Sequence, residues 1–202
     1  MRTGLTSAML FGVTLWFASD SSAQTIPELA RARPTNPIVR GVLRDIQPVP
    51  IEVLAKEAQV ILIGRLEISK TYLTPDEENV LTDFRIVPER IISGQVPLTR
   101  SKPTAAEPLI LTVYGGNITI DGFTVTAVDH NLNLPQSGRQ FVLFLDAFGA
   151  EKGRYQTHRG GIFEISNGHL GSLMRRPGIY KEVSERGIDE LLLDIQKAAA
   201  GR

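Results

Sequence analysis

The clearest indication of the fold is a hairpin signal in the stretch Ile118–Val125, which reads ITIDGFTV. Asp-Gly is a favoured pair for a two-residue turn because both residues must adopt a positive φ, and here it separates two segments of alternating apolar and polar residues. Thr119, Thr124 and Thr126 fall on the face opposite the apolar side chains. We therefore predict an antiparallel hairpin with one buried and one solvated face.

Strand signals continue on both sides of this hairpin. Phe141–Leu145 (FVLFL) and Val60–Gly64 (VILIG) are apolar at almost every position, which is typical of strands covered on both faces. Weaker patterns predict further strands at Leu109–Val113, Tyr155–His158 and Ile162–Ile165. Asn167-Gly168 predicts another two-residue hairpin turn.

One further strand is predicted around Phe84 and Ile86, which alternate with Asp83 and Arg85. This is the pattern of a half-buried strand, with the charged pair on the solvated face. Pro88 cannot donate a ladder hydrogen bond, so it predicts an edge position or a bulge.

A helix is predicted near each end of this strand-rich region. The apolar residues recur at helical spacing, with Ile51, Leu54, Ala55 and Ala58 in the first helix and Ile188, Leu191, Leu192 and Ile195 in the second. Pro50 is suited to open the first helix. The whole pattern predicts a mainly β fold: a small antiparallel barrel, or a short sandwich, with a short N-terminal helix and a C-terminal amphipathic helix.

The first 23 residues predict export. Arg2 precedes the short apolar run Met9–Ala18, and Ser21 and Ala23 occupy the two positions that a signal peptidase reads, so cleavage is predicted between Ala23 and Gln24. The apolar run is too short to span a bilayer, and no later segment is long and apolar enough. We expect no membrane insertion once the signal is removed, and a periplasmic or secreted location.

Removal of residues 1–23 leaves a chain of ordinary single-domain length. Residues 24–49 contain Pro27, Pro34, Pro37 and Pro48 and show no sustained apolar period, so we expect an extended, proline-rich lead-in. Residues 50–200 are then expected to form a single domain.

Composition excludes several classes of protein. Lys and Arg number 22, as do Asp and Glu, so the net charge is zero. A nucleic-acid-binding protein or a polybasic membrane-surface protein would need a basic excess, and we expect neither activity. The chain has no cysteine, which rules out disulfides, a cysteine nucleophile and thiolate metal sites. Export without disulfides is typical of a bacterial protein.

Glycine pairs offer no cofactor site. Gly115-Gly116 and Arg159-Gly160-Gly161 have neither the lysine of a phosphate-binding loop nor the spacing of a dinucleotide-binding motif. Such glycines beside strands are more typical of turns and bulges. We expect no cofactor.

Several segments occur in an order that resembles a known group of proteins. They are Ala58–Gly64, Phe84–Val87 running on to Ile91–Gly94, Gly115-Gly116, Ser137–Leu145 and Gly161–Ile165. In this order, residues 50–170 resemble a loose group of exported bacterial proteins of unknown function, whose barrel is similar to OB-fold and netrin-like (tissue metalloprotease inhibitor) domains. Members often have Lys before the strand-ending glycine, where this chain has Ser93. Netrin-type inhibitors bind the catalytic zinc through an N-terminal cysteine, so the resemblance does not imply that activity here.

The candidates for chemistry are the histidines. Asp129, His130 and His158 could form a hydrolytic or metal-dependent site, with Asp146 assisting and Ser137 as a nucleophile supplied by folding. The three histidines, His130, His158 and His169, show no metal-ligand spacing of a known type, and no GxSxG element is present. Surface or loop histidines are the simpler interpretation.

Our leading hypothesis is an exported, non-catalytic binding or structural domain. Its expected partner is an envelope or extracellular protein, engaged through loops at the barrel mouth because loops on rigid scaffolds carry function. The candidate loops are Thr71–Asn79, Gly94–Glu107 and Asp129–Gly138. The alternative is a periplasmic enzyme using Asp129, His130 and His158, which requires those side chains to converge. A purely structural envelope protein is the third possibility, and it predicts no pocket and a persistent oligomer.

Overall fold

The computed structural model describes residues 24–32, 38–42, 44–96, 108–176 and 178–201. The predicted signal peptide, including Ala23, lies outside the described residues. Residues 97–107 of the predicted loop Gly94–Glu107 lie outside them as well. The helices are α1 (Ile26–Ala32), α2 (Ile51–Glu57), α3 (Lys181–Glu185) and α4 (Ile188–Ala200), with a short 3-10 helix at Gly178–Tyr180. The strands are β1 (Ile38–Val42), β2 (Val60–Leu73), β3 (Val80–Ser93), β4 (Leu109–Tyr114), β5 (Gly116–Ile120), β6 (Phe123–Asp129), β7 (Gln140–Ala147), β8 (Arg154–Ser166) and β9 (His169–Ser172).

The main sheet closes into a ring. Its strands follow the order β4-β3-β2-β7-β8-β9, and β4 also pairs with β8 in parallel through Ile110↔Arg154 and Leu111↔Tyr155. The other pairings in this sheet are antiparallel. The strands β2, β3, β4, β7 and β8 form this closed arrangement, and the predicted mainly β fold class is confirmed.

The ring encloses the main hydrophobic core. Strand β7 is central, and Phe141 to Leu145 are fully buried, as their uninterrupted apolar run predicts. Phe163 stands at the centre of an aromatic cluster, edge-on to Phe144 (centroids 5.8 Å apart) and to Tyr180 (5.1 Å).

A second, three-stranded sheet has the order β1-β6-β5. The predicted hairpin joins β5 to β6, and Asp121 and Gly122 have φ values of 49° and 84°, as the two-residue turn requires. Strand β1 adds to β6 in parallel. A separate apolar cluster lies here, formed by Ile26, Ala30, Val80, Val125 and Ala127.

The segment expected to be an extended lead-in contains α1 and β1. Helix α1 begins with a capping box: Glu28 Oε2 accepts a hydrogen bond from Thr25 N (2.9 Å), and Thr25 Oγ1 accepts one from Glu28 N (3.4 Å). Pro27 is tolerated because the first turn of a helix has no partners for its N–H groups. Pro27 therefore did not prevent a helix at the start of this segment.

Both predicted helices at the ends of the strand-rich region are confirmed. Helix α2 follows Pro50 and ends at Ala58 as its cap, and α4 buries Leu191, Leu192 and Ile195. The two helices pack on each other and belong to the main core. None of the helices in the described residues has the length and apolar character needed to cross a membrane.

Two strand predictions differ from the structure. Tyr155–His158 and Ile162–Ile165 belong to one strand, β8, which is interrupted by a bulge rather than by a turn. Asp83 is buried, although the alternation placed it on the solvated face, because side chains from β2, β4 and β8 cover it. Pro88 behaves as predicted: it lies beyond the pairing of β3 with β4, next to a register shift against β2.

Candidate binding cleft at the bulge of strand β8

The bulge in β8 arises from a mismatch with β7. Leu143 pairs with Ile162 and Leu145 pairs with Thr157, so the four residues 158–161 lie opposite Phe144 alone. Arg159 (φ 43°) and Gly160 (φ 73°) both adopt left-handed backbone conformations. A Cβ on Gly161 would lie 2.8 Å from the Phe144 Cβ, so only glycine fits there without a shift. The bulge therefore depends on its glycines, and it changes the direction in which the neighbouring side chains point.

A cleft of about 430 Å³ opens beside this bulge. Its walls come from β7, from β8 and from the segment that precedes α2. The lining residues are Arg44, Asp45, Ile46, Gln47, Asp146, Gln156, Thr157, His158 and Arg159. The segment packs closely on the bulge, since a Cβ on Gly160 would lie 3.2 Å from Ile46 Cγ2. The lining therefore combines guanidinium, carboxylate, amide and imidazole groups at one place.

His158 is held between two carboxylates. Its Nδ1 lies 2.6 Å from Asp146 Oδ2, and its Nε2 lies 3.2 Å from Glu57 Oε2. The same Glu57 oxygen pairs with Arg159 Nε at 3.3 Å. Asp146 also accepts a hydrogen bond through Oδ1 from Gln59 N (3.3 Å). These bonds connect α2, β7 and β8, and they fix the orientation of the imidazole ring.

Arg44 also lines the cleft. Its guanidinium lies 4.8 Å from the centre of the Tyr114 ring, and its Nη1 is 3.5 Å from Asp129 Oδ2. Asn131 Nδ2 donates a hydrogen bond to the Arg44 carbonyl oxygen. Arg44 is thus held from two sides, by a buried carboxylate and by the loop that follows β6.

Asp129 ends β6 with its side chain buried. Its Oδ1 accepts hydrogen bonds from the backbone N–H groups of Asn131 (2.8 Å) and Leu132 (3.3 Å). Its Oδ2 accepts no hydrogen bond in the described part of the chain and faces only the Arg44 guanidinium. The carboxylate therefore serves the loop and Arg44.

The three residues of the enzyme hypothesis lie in different surroundings. His158 lines the cleft, Asp129 is buried at the end of β6, and His130 is exposed and packs over Gly41, where an added Cβ would lie 2.0 Å from His130 Nε2. Within the described residues, no hydrogen bond or ion pair joins any two of them. Asp129 is the last residue of β6 and His130 is the first residue beyond it, and only the first of these two side chains is buried.

Two other candidates are engaged outside the cleft lining. Ser137 Oγ accepts a hydrogen bond from Ile68 N (3.2 Å), and His169 Nδ1 lies 3.2 Å from the Arg186 carbonyl oxygen. Across the ranges that the structure describes, no group of three or more His, Asp or Glu side chains is arranged to hold a metal ion.

Sequence reasoning missed Glu57, Arg44 and Arg159 as members of this site. Glu57 lies 101 residues before its histidine partner, and no local pattern reports such a contact. A usable signal was present at Gly160-Gly161, because glycines inside a strand pattern indicate a bulge and bulges often lie beside functional sites.

The predicted barrel-mouth loops have different positions. The turn within Thr71–Asn79 contacts the start of α1, since the Glu77 carbonyl oxygen accepts a hydrogen bond from Ile26 N (2.9 Å). The loop Asp129–Gly138 supports the cleft through Asn131. Of these two loops, the second is the one that bears on the candidate site.

A second polar cluster lies where β4 meets β8. Arg154 Nη2 is 2.9 Å from Asp83 Oδ2, and Asp83 Oδ1 accepts hydrogen bonds from Thr112 Oγ1 (2.8 Å) and Tyr72 OH (3.1 Å). Arg154 Nη1 donates to Tyr72 OH at 2.7 Å. Burial acts to lower the pKa of Arg154, but the bond to Tyr72 and the charge of Asp83 outweigh it and hold the pKa above its usual value. These contacts connect β2, β3, β4 and β8, the last two of which close the ring. We therefore assign this cluster a structural role.

Comparison with known proteins does not identify this arrangement. No model of a known protein family matches the chain, and no curated protein matches it.

Proposed function

We propose that the chain is an exported, non-catalytic domain that binds a protein of the cell envelope or the extracellular space through the cleft beside the β8 bulge. The observation that carries this proposal is the arrangement around His158, in which both ring nitrogens are already engaged by carboxylates. An imidazole held in this way is a fixed part of a surface, whereas a general base needs one nitrogen free for the reacting proton. The bulge, the bound imidazole and the anchored Arg44 together make a preorganised polar surface.

The character of the lining favours a polypeptide partner. Arg44 and Arg159 are matched by Asp45 and Asp146 in the same lining, so the cleft has no excess of either charge. Gln47 and Gln156 add amide groups that can both donate and accept hydrogen bonds. A peptide segment offers donors, acceptors and both signs of charge, and complementarity of this kind provides specificity in protein interfaces.

Export is supported by the N-terminal sequence. A cation, a short apolar run and small residues at Ser21 and Ala23 precede the predicted cleavage point. The resemblance to exported bacterial proteins agrees with this location. A purely structural envelope protein is less well supported, because it predicts no pocket and the cleft has about 430 Å³.

Site-specific photocrosslinking tests the proposal. A photoreactive amino acid replaces Gln47, an exposed residue of the cleft. The full chain is expressed in a bacterium that exports it to the cell envelope. We expect irradiation to give a discrete protein adduct. Arg159→Glu should reduce its yield about tenfold or more, since a charge-assisted hydrogen bond contributes about 1.5–3 kcal/mol.

Arg85→Glu is the matched control. Arg85 is also an exposed arginine, but it pairs with Glu67 on β2, away from the cleft lining. The control should leave the adduct unchanged, and circular dichroism should show that both variants remain folded. Equal adduct yields from the two variants, or no adduct at Gln47, would contradict the proposed binding site.

A hydrolytic enzyme is the second candidate function. The 2.6 Å contact between His158 and Asp146 is the orienting half of a catalytic pair, and it lies in a cleft. This function requires Glu57 to release Nε2. Hydrolysis of a simple nitrophenyl ester tests it: we expect the same rate for the wild-type chain and for His158→Gln, whereas turnover that this substitution abolishes would favour the enzyme.

A further inference from the structure

The predicted signal cleavage has a chemical consequence at Gln24. Cleavage after Ala23 makes Gln24 the first residue of the mature chain, with a free α-amine beside a side-chain amide. Gln24 is exposed on the surface of the folded protein. An N-terminal glutamine with a free side chain is the precursor of a cyclic end group.

Within the described residues, the hydrogen bond of Gln24 runs through its backbone carbonyl oxygen and not through its side-chain amide. Arg40 Nη1 donates a hydrogen bond to the Gln24 carbonyl oxygen (2.9 Å), and Glu28 accepts one from Thr25 N (2.9 Å). No hydrogen bond of the described residues uses the Gln24 side-chain amide. These contacts are therefore compatible with a lactam ring at Gln24, because ring formation leaves the backbone carbonyl oxygen of Gln24 in place to accept the hydrogen bond from Arg40.

We infer that the mature N-terminus is a pyroglutamate formed from Gln24, an inference that rests on the proposed export and cleavage. The α-amine nitrogen attacks the side-chain Cδ, and a five-membered lactam forms through a new N–Cδ bond. The Cδ–Nε2 bond breaks, and Nε2 leaves as ammonia with a proton from the α-amine. No oxidant, reductant or other co-reactant enters the step.

The ring protects an N-terminus that the fold uses. Ile26 is fully buried in the second apolar cluster, and its N–H donates to the Glu77 carbonyl oxygen at 2.9 Å. An aminopeptidase that removed Gln24 and Thr25 would delete the capping box of α1 and leave this anchor as the first residue. Such enzymes require a free α-amine, so the lactam blocks them at the first residue.

Mass spectrometry of the exported chain tests the inference. The full chain is expressed in a bacterium and purified from the periplasm or the medium, and its mass is measured directly after harvest. We expect the mass of residues 24–202 less one ammonia, resistance to a broad aminopeptidase, and sensitivity to pyroglutamate aminopeptidase. Gln24→Ala is the matched control, since it should be processed at the same site but keep a free amine and be trimmed by the broad enzyme.

The outcomes separate this inference from the proposed export. A mature chain that begins with uncyclised Gln24 in fresh material overturns the cyclisation and leaves export standing. A chain that retains Met1 in the cytoplasm overturns both. Cleavage at another residue in exported protein overturns the cyclisation and the cleavage site, but not the location.

Discussion

Asp83 illustrates at the scale of one residue how partners allow a charge to be buried. Its side chain is about 1% exposed, and it is surrounded by the guanidinium of Arg154 and the hydroxyls of Thr112 and Tyr72. Removing a buried charge from water is costly, and the cost is offset only when its partners satisfy it. The burial of Asp83 therefore depends on β2, β4 and β8 all being in place.

We predict that Asp83→Ala destabilises the protein by about 3–5 kcal/mol, because it leaves the Arg154 guanidinium without its buried counter-ion. Urea unfolding followed by circular dichroism measures the change. Glu67→Ala is the matched control: it removes the carboxylate of an exposed pair with Arg85 and should cost about 1 kcal/mol or less. Equal losses for the two variants would contradict the structural role given to Asp83.

The tyrosines predict a loss of stability at alkaline pH. Burial is the largest cause that raises the pKa of Tyr72, Tyr155 and Tyr180 above the usual value. As the pH rises, the tyrosine hydroxyls therefore ionise in the unfolded chain before they ionise in the folded protein. The contribution of the neutral tyrosines to the free energy of unfolding is complete below about pH 10, and it is lost as the pH rises through their pKa values in the folded protein. Phenolate absorbance and urea midpoints across this range check the prediction. Tyr180→Phe should weaken the dependence, and an unchanged dependence would be evidence against it.

At the scale of the element, the bulge determines what β8 can do. An uninterrupted strand would place successive side chains alternately on its two faces, whereas the bulge sets His158 and Arg159 together at the cleft. Gly160 and Gly161 make this possible through a left-handed conformation and through close approach to Phe144. The candidate site is therefore a property of this one irregular element.

We predict that Gly161→Ala destabilises the protein by about 1–3 kcal/mol, because its Cβ would overlap the Cβ of Phe144. The same variant should displace His158, which NMR chemical shifts of the imidazole report. Gly171→Ala on β9 is the control, since the nearest atom to its Cβ is 4.0 Å away. A harmless Gly161→Ala would show that the bulge is not built as described.

At the scale of the whole molecule, the protein has two apolar clusters with different composition. The main cluster fills the ring and takes in α2 and α4, while the second is formed by α1, the small sheet and Val80 at the end of the β2–β3 hairpin. Strands β2 and β3 each have 14 residues, which is long enough to contribute to both clusters. The N-terminal segment is therefore part of the packed structure.

We predict that Ile26→Ala destabilises the protein by about 2–5 kcal/mol, the usual cost of truncating a fully buried isoleucine. Thermal and urea unfolding of the chain from residue 24 onward measure it. Val39→Ala is the control, because Val39 is 65% exposed and should change stability by about 0.5 kcal/mol or less. If Ile26→Ala were equally mild, α1 would be a loosely attached arm.

The sequence by itself determined the elements whose signals are local. The Asp121-Gly122 turn, the buried strand β7 and the apolar stripe of α4 all follow from preferences that act within a few residues. The capping box at Thr25–Glu28 was equally local, and the prolines of the segment obscured it.

Only the tertiary structure decided which distant groups meet. The contact of Glu57 with His158, the burial of Asp83 and the parallel pairing of β1 with β6 join residues far apart in the chain. Alternation assigns a side chain to a face of its strand, but the packing of other elements decides whether that face is exposed. The cleft formed in this way, since its charged side chains come from β7, β8 and the segment before α2, which only the folded chain brings together.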